Sequence, residues 1–283
     1  DTFKDVKVFE KAQIDLVVKA TIASAPEVTD VFGRIEKLYV ISGVLKNGDG
    51  QVATKISIGM VSGVLKLATQ TLVMSPYGHV IYSVDDAGIA RVVVSRGEWG
   101  YPEVVSSSDN YDIHSGLVQQ GDSIVTSDPV YHRVVSIRNG QVTPVVGTGK
   151  PGASPAGLFG REMALNGPSG LALQPDGRLL IADRYNDRIL RQEVDGRVTK
   201  LLGGGSEAEL VIGMPAADIA LREPQGIAVD ASGHLYVCDY SNNRILEISD
   251  SASDFLQLEK FWDVEKPIDV DLLEGRPVAL SNL

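Results

Sequence analysis

Residues 147–190 reappear without a gap as residues 203–246, with fifteen of the forty-four aligned positions identical at an offset of 56. Average composition would give about three. The shared positions include Ala164 with Ala220, Leu165 with Leu221, Pro168 with Pro224, Gly170 with Gly226, Gly177 with Gly233, Asp183 with Asp239 and Arg188 with Arg244. They are turn and core residue types. A repeat of this length is one supersecondary unit that cannot cover its own apolar faces, so copies must stack against one another. A shorter element (Asp, four residues, Arg, two aliphatics) also occurs upstream as DAGIARVV (86–93) and DPVYHRVV (128–135), making four copies in all.

Each unit opens on Pro or Gly, continues as a short β run such as GLALQ, turns at PDG and runs again as RLLIAD. After another turn it finishes with RILRQ and RVTKLL. Short β-rich runs punctuated by Gly, Pro, Asn and Asp read as strands, and helical periodicity is weak throughout. Four such strands per unit describe one blade of a β-propeller. On these residues the chain resembles the NHL-repeat family. The stretches PSGLALQPDGRLLIADRYNDRIL (168–190) and PQGIAVDASGHLYVCDYSNNRIL (224–246) follow its Pro-x-Gly opening, its Ala-Asp strand end and its Asn-x-Arg-Ile turn. The Gly- and Ala-rich stretches ahead of them, ending Ala-Leu-x-x-Pro, are similar to the connectors of bacterial members. The copies at 86 and 128 match the pattern less closely. The resemblance covers about residues 70–283 and implies an all-β propeller.

The two ends set the expected blade number. Asn282 follows Pro267 at the spacing by which Asp239 follows Pro224, so the C-terminal segment holds two inner strands and then stops. DVKVFE and QIDLVVKATI near the N-terminus have the β-rich composition to supply the missing outer strands, which would close the ring and leave no open sheet edge. The expectation is one domain over 1–283. In it, 1–24 gives outer strands of the closing blade, 25–69 a divergent blade, 70–264 four motif blades and 265–283 the inner closing strands. That makes a six-bladed propeller of four-stranded antiparallel blades, with five or seven blades as the alternatives.

Strand direction alternates within a blade, so the turn between the second and third strands emerges on the same face as the connector to the next blade. The pairs Asp86 and Arg91, Asp128 and Arg133, Asp183 and Arg188, and Asp239 and Arg244 flank that turn. An Asp closing a strand can accept N–H groups of the turn, Asn186 and Asn242 tolerate left-handed backbone, and the Arg can reach back to the carboxylate. A structural turn therefore explains the repetition. A binding site has no reason to be copied four times and is expected where the copies differ. Between Asp and Arg they read AGIA, PVYH, RYND and YSNN, which places Tyr131, His132, Arg184, Tyr185 and Tyr240 on one face. Lys150, Phe159, Arg161, Glu207 and Glu209 lie on the adjoining connectors. Tyr and Arg combine large contact area with directional hydrogen bonds, the chemistry of recognition hot spots. His114 aligns with Pro168 and Pro224 near the axis. A metal there would have His114 and His132 but no identified third ligand. His79 and His234 fall on the opposite face.

Composition narrows the function. The balance of 26 basic against 37 acidic residues leaves a net charge of -11, which repels nucleic-acid backbones and anionic membranes at long range. No apolar run reaches the ~18 residues of a spanning helix, and the first residues lack the basic-then-apolar order of a signal peptide. The single cysteine, Cys238, excludes an internal disulfide and a multi-cysteine zinc site; aligned with Ala182, it reads as a small buried strand residue. GTGKPG (147–152) lacks the ending of a phosphate loop, and the sequence has no Gly-x-Ser-x-Gly elbow and no His-Glu-x-x-His helix.

These readings favour a non-enzymatic propeller that recognises a protein, peptide or glycan through its top-face loops, with no nucleic acid, no membrane insertion and no assigned cofactor or catalytic residue. Some NHL relatives are similar to peptide-amidating lyases with an axial metal, and some six-bladed cousins resemble lactonases. A metal-dependent lyase or lactonase-like hydrolase is thus the first alternative, and an RNA-binding NHL domain the second. The bacterial-type connectors, Asp1 as the first residue and the low thiol content point to an extracellular or periplasmic location.

Overall fold

The structure, a computed structural model, describes residues 7–10, 51–52, 61–75, 80–94, 99, 115–206, 209–250, 256–264, 267–273 and 276–281. Of the five sheets among the described residues, four follow one another along the chain. The first contains β3 (Gly63–Lys66), β4 (Gln70–Ser75), β5 (Val80–Asp85) and β6 (Ile89–Val94). The second contains β7 (Leu117–Gln120), β8 (Ser123–Asp128), β9 (Arg133–Arg138) and β10 (Gln141–Val146). The third is β11 (Pro168–Leu173), β12 (Leu179–Asp183), β13 (Arg188–Gln192) and β14 (Val198–Gly203), and the fourth is β15 (Pro224–Val229), β16 (Leu235–Asp239), β17 (Arg244–Asp250) and β18 (Leu256–Asp263). Consecutive strands pair antiparallel within each, as in a propeller blade. Turn chemistry fixes the hairpins. Between β9 and β10, Asn139 and Gly140 both take positive φ, 51° and 76°, the backbone that lets a two-residue turn match the twist of its strands.

The strand β12 shows why the apolar runs are continuous rather than alternating. All five of its residues are buried. Leu179 and Ile181 enter a core shared with Val125, Val134 and Val146 of the second blade, whereas Leu180 and Ala182 enter one shared with Ile227, Leu235 and Val237 of the fourth. Successive side chains point to opposite sheet faces, and each face is covered by a neighbouring blade. Cys238 is buried in the next such interface, beside Tyr236, Ile245 and Trp262.

The first strands of successive blades, β3, β7, β11 and β15, are neighbours in that order, with β19 (Pro267–Leu273) beyond β15. Their approach requires glycine. A Cβ on Gly116 would stand 2.2 Å from the Leu171 nitrogen, and one on Gly170 would stand 2.3 Å from the Gln225 carbonyl oxygen. The Gly116 N–H donates across this seam to the Ser169 carbonyl at 2.9 Å.

Outer edges are covered from the preceding connector. Phe159 bridges to Arg197 at the start of β14, and Pro215 bridges to Gln257 in β18. In the first sheet β2 (Gln51–Val52) pairs with β6 in the same outer position. The first motif blade therefore begins at Gly63, and the expected boundary at 70 falls at the start of its second strand. At the ends, β19 and β20 (Arg276–Ser281) form a hairpin, and β1 (Lys7–Glu10) lies against β20 in parallel register, Lys7 beside Val278. An alternating blade would make that contact antiparallel. Because β1 arrives from the other end of the chain, no hairpin turn dictates its direction. Residues 11–24, including QIDLVVKATI, are outside the described residues, as is most of 25–69.

Candidate functional site

The second-to-third strand turns of the third and fourth blades share one geometry. In the fourth, Asp239 is fully buried; its Oδ1 accepts the Arg222 N–H at 2.7 Å, and its Oδ2 accepts Asn242 Nδ2 at 2.9 Å and Arg244 Nε at 2.7 Å. In the third, Asp183 accepts the Asn166 N–H, Asn186 Nδ2 and Arg188 Nε at 2.7, 2.8 and 2.7 Å. The arginines also tie the turn to the connector, Arg188 Nη1 donating to Ser154 O and Arg244 Nη2 to Ala220 O. Burial pushes both carboxyls up, while the donated hydrogen bonds and the arginine charge pull the other way. In the second blade Arg133 Nε donates to Asp128 Oδ2 at 2.8 Å.

Two sequence expectations change here. In the first blade the acid facing Arg91 is Asp85, not Asp86: Arg91 Nη1 donates to Asp85 Oδ2 at 2.6 Å, whereas Asp86 faces Lys66. Asp85 ends β5 and also accepts the N–H groups of Ala87 and Ile89, so it is the residue that closes this tighter turn. Second, Asn186 and Asn242 sit in short 3-10 turns, and the left-handed residues are the next ones, Asp187 and Asn243, with φ of 54° and 53°.

That left-handed position has its own task. Its member in the second blade is His132, φ 47°, whose Nδ1 accepts the Gly167 N–H at 3.0 Å. In the third blade Asp187 Oδ1 accepts the Glu223 N–H at 2.7 Å. Gly167 and Glu223 immediately precede the prolines that open β11 and β15, so each bond latches one blade to the next. Desolvation lowers the His132 pKa despite the nearby charges of Asp128 and Asp183. A folded-state pKa below the ordinary value favours the neutral ring, so this contribution is present above about pH 6.5 and is lost as pH falls below it. His132→Asn keeps an acceptor and tolerates the left-handed backbone. Thermal unfolding between pH 7.5 and 5.5 is expected to show a smaller loss of Tm in this variant than in the wild type; equal slopes would show that His132 does not titrate in the latch.

The residues expected to face a partner divide into two groups. Tyr185 is 44% exposed, but Arg184 is only 6% exposed and is not presented to solvent. Its guanidinium lies over the rings of both Tyr185 and Tyr240, 4.9 and 5.6 Å from their centroids, and Nη2 donates to Glu223 Oε2 at 3.1 Å. Tyr131, half-buried, has Arg133 over its ring at 5.3 Å. Lys150, Arg161 and Glu209 are exposed. Phe159 is exposed too, but it stacks on Arg197 at the outer edge of the third blade, at the opposite end of the strands from the Asp–Arg turn.

Glu207, His79 and the metal candidate His114 lie outside the described residues. His234 stands 3.3 Å from Asp230 and 3.4 Å from Glu247. Among the described residues no three His, Cys, Asp or Glu side chains are grouped so as to hold a metal. Sequence reasoning missed Glu223 and Gly167; the available signal was their shared position before the proline of each repeat.

Comparison with known proteins fits this architecture. The NHL repeat family model matches residues 221–247. NHL repeat-containing protein 2 of Gallus gallus is 27% identical over 161 residues, 53% of this chain, and the match spans only 22% of that protein's length. Among solved structures, a protein provisionally named a gluconolactonase superposes with a TM-score of 0.52 at 15% identity, over 76% of this chain and 69% of its own. An auxiliary nutrient binding protein from Bacteroides ovatus gives a TM-score of 0.47 at 20% identity, over 64% of this chain and 45% of its own.

Proposed function

We propose that this chain, which belongs to the NHL-repeat propellers, is a binding module that recognises a protein, peptide or glycan through the face carrying Tyr131, His132, Arg184, Tyr185 and Tyr240. In this reading the disc has six blades and is closed by its terminal strands, and it works in an extracellular or periplasmic compartment. Asp85, Asp128, Asp183 and Asp239, with Arg91, Arg133, Arg188 and Arg244, serve the frame. Tyr131, Tyr185 and Tyr240 serve contact, with Arg184 and His132 holding them in place from within.

The observation that carries the reading is the exposed Tyr185 ring, set on a buried arginine between two hydrogen-bonded turns. A large side chain already fixed in place loses little conformational freedom on binding, which is where recognition gains most. Arrays of peptides and glycans probed with the wild type and with Tyr185→Leu/Tyr240→Leu, which keeps apolar cover over Arg184, test it. Binding by the wild type, absent from a variant of unchanged Tm, is the expected result. A stoichiometric metal in the purified protein together with lactone hydrolysis or lyase activity would replace the reading with an enzymatic one.

A further inference from the structure

We infer that the proposed binding face is pH-sensitive through His132: a proton on Nδ1 breaks its bond to Gly167 and shifts the Tyr185 ring that lies against that glycine. Regulation in this sense rests on that face being the binding face; the motion itself needs no ligand.

Only a neutral ring can make this bond. The Gly167 N–H donates to His132 Nδ1 at 3.0 Å, so that nitrogen is the acceptor and the ring proton sits on Nε2. An imidazolium carries a proton on both nitrogens. Two N–H groups would then face each other across the latch, and the seam between the second and third blades would lose an attraction and gain a repulsion. Of the two latches described above, this one alone is made by an imidazole, the side chain whose charge changes between about pH 5 and 8. The other is made by the Asp187 carboxylate.

Gly167 is coupled to Tyr185 twice over. Asp183 Oδ1 accepts the Asn166 N–H at 2.7 Å and Asn166 O accepts the Tyr185 N–H at 3.0 Å, so the segment before β11 is tied to the turn that carries Tyr185. The ring itself lies against the glycine: a Cβ on Gly167 would stand 2.5 Å from Cδ2 and 2.6 Å from Cε2. Displacement of Gly167 is therefore passed to the ring, and through the ring to its contact with Arg184. Tyr185, 44% exposed, is the side that can yield.

The acids that face His132 are Asp128, paired with Arg133 on its own turn, and Asp183, paired with Arg188 across the seam. Both favour the charged ring. Burial outweighs them and holds the pKa below the ordinary value, so the latched form is the one present at neutral pH and the change falls in the acid range.

Titration by NMR between about pH 8 and 4.5, with isotope-labelled histidine, tyrosine and glycine, tests the coupling. The His132 Cε1–H signal, the Gly167 amide and the Tyr185 ring are expected to shift together, with one midpoint below about pH 6.5. In His132→Asn, which keeps an acceptor and tolerates the left-handed backbone, the Gly167 and Tyr185 signals should stay flat. A Tyr185 signal that stays flat while His132 titrates, or that shifts as far in His132→Asn as in the wild type, would overturn the switch. Should His132→Asn fail to fold, the wild type decides: coincident midpoints support the switch, and a Tyr185 midpoint apart from that of His132 overturns it. The peptide and glycan arrays separate this outcome from the fate of the binding face. Capture that is lost in the tyrosine variants, together with a flat Tyr185 signal, would leave the face and remove the switch; coupled titration with no capture on any array would leave the motion and remove the face.

Discussion

Arg188→Ala is expected to lower the stability of the protein by about 3–5 kcal/mol, because it removes the guanidinium paired with a buried carboxylate. Asp183 is fully buried, and the Arg188 side chain is 11% exposed. The two remaining donors, the Asn166 amide and the Asn186 carboxamide, are neutral. The lost guanidinium also leaves Ser154 O without its donor, loosening the turn from the connector. Arg91→Ala provides the contrast: its pair with Asp85 is open to water, with Arg91 54% exposed, and its loss should cost far less than the loss of Arg188.

The pH dependence has a definite sign. The folded-state pKa of Asp183 lies above its ordinary value, so the folded form takes up the proton first, and this group's contribution to stability rises as pH falls through that value. Removing Arg188 raises it further, so the deficit of Arg188→Ala should shrink towards acid pH. Urea unfolding at neutral and acid pH measures both effects. A deficit below about 1 kcal/mol at neutral pH would mean that the pair does not lock the turn.

Gly116→Ala is expected to cost about 1–3 kcal/mol, towards the upper end, because the added methyl meets backbone rather than a side chain that can swing away. Its Cβ would stand 2.2 Å from the Leu171 nitrogen and 2.8 Å from Leu171 Cβ. The second and third blades would have to part, straining the Gly116 N–H bond to Ser169 O and the contact of Ser127 Oγ with the same carbonyl. Gly177→Ala separates this from ordinary backbone strain. Gly177 has φ 84° and nothing within 4 Å of its Cβ position, so only the left-handed penalty of about 1–2 kcal/mol applies there. Thermal unfolding of the two variants side by side should place Gly116→Ala lower.

The blades were legible in the sequence because each depends on local chemistry. Turn glycines such as Gly177 and Gly233, and the strand-closing Asp with its Arg five residues on, are spelled out within one unit. Asp183 and Asp239 also lie directly across from Arg188 and Arg244 in the strand register, so fixed spacing sufficed to find them. Asp85 was harder. The four-residue spacing to Arg91 pointed to Asp86, and only the position of Arg91 inside β6, paired with Ser83, brings it to Asp85.

The candidate site was less legible because its decisive contacts cross between blades. Arg184 and Tyr240 align one above the other in the repeat, yet one packs against the other across the seam, and Glu223 joins them from a connector 39 residues downstream. The task of His132 likewise depends on Gly167, 35 residues away. Within one unit the only signal is the position of Gly167 and Glu223 just before a proline, which does not say which residue of the neighbouring unit they meet.

Unfolding and binding measured together on one pair of variants separate frame from contact. Tyr185→Leu/Tyr240→Leu, which keeps apolar cover over Gly167 and Arg184, should stay close to the wild-type melting curve and lose the ligand found on the arrays, whereas Arg188→Ala should melt far lower yet bind that ligand while folded. The reverse pattern, with a tyrosine variant that binds as the wild type does and an arginine variant of unchanged melting temperature, would contradict the division of labour between the repeated and the variable residues of these turns.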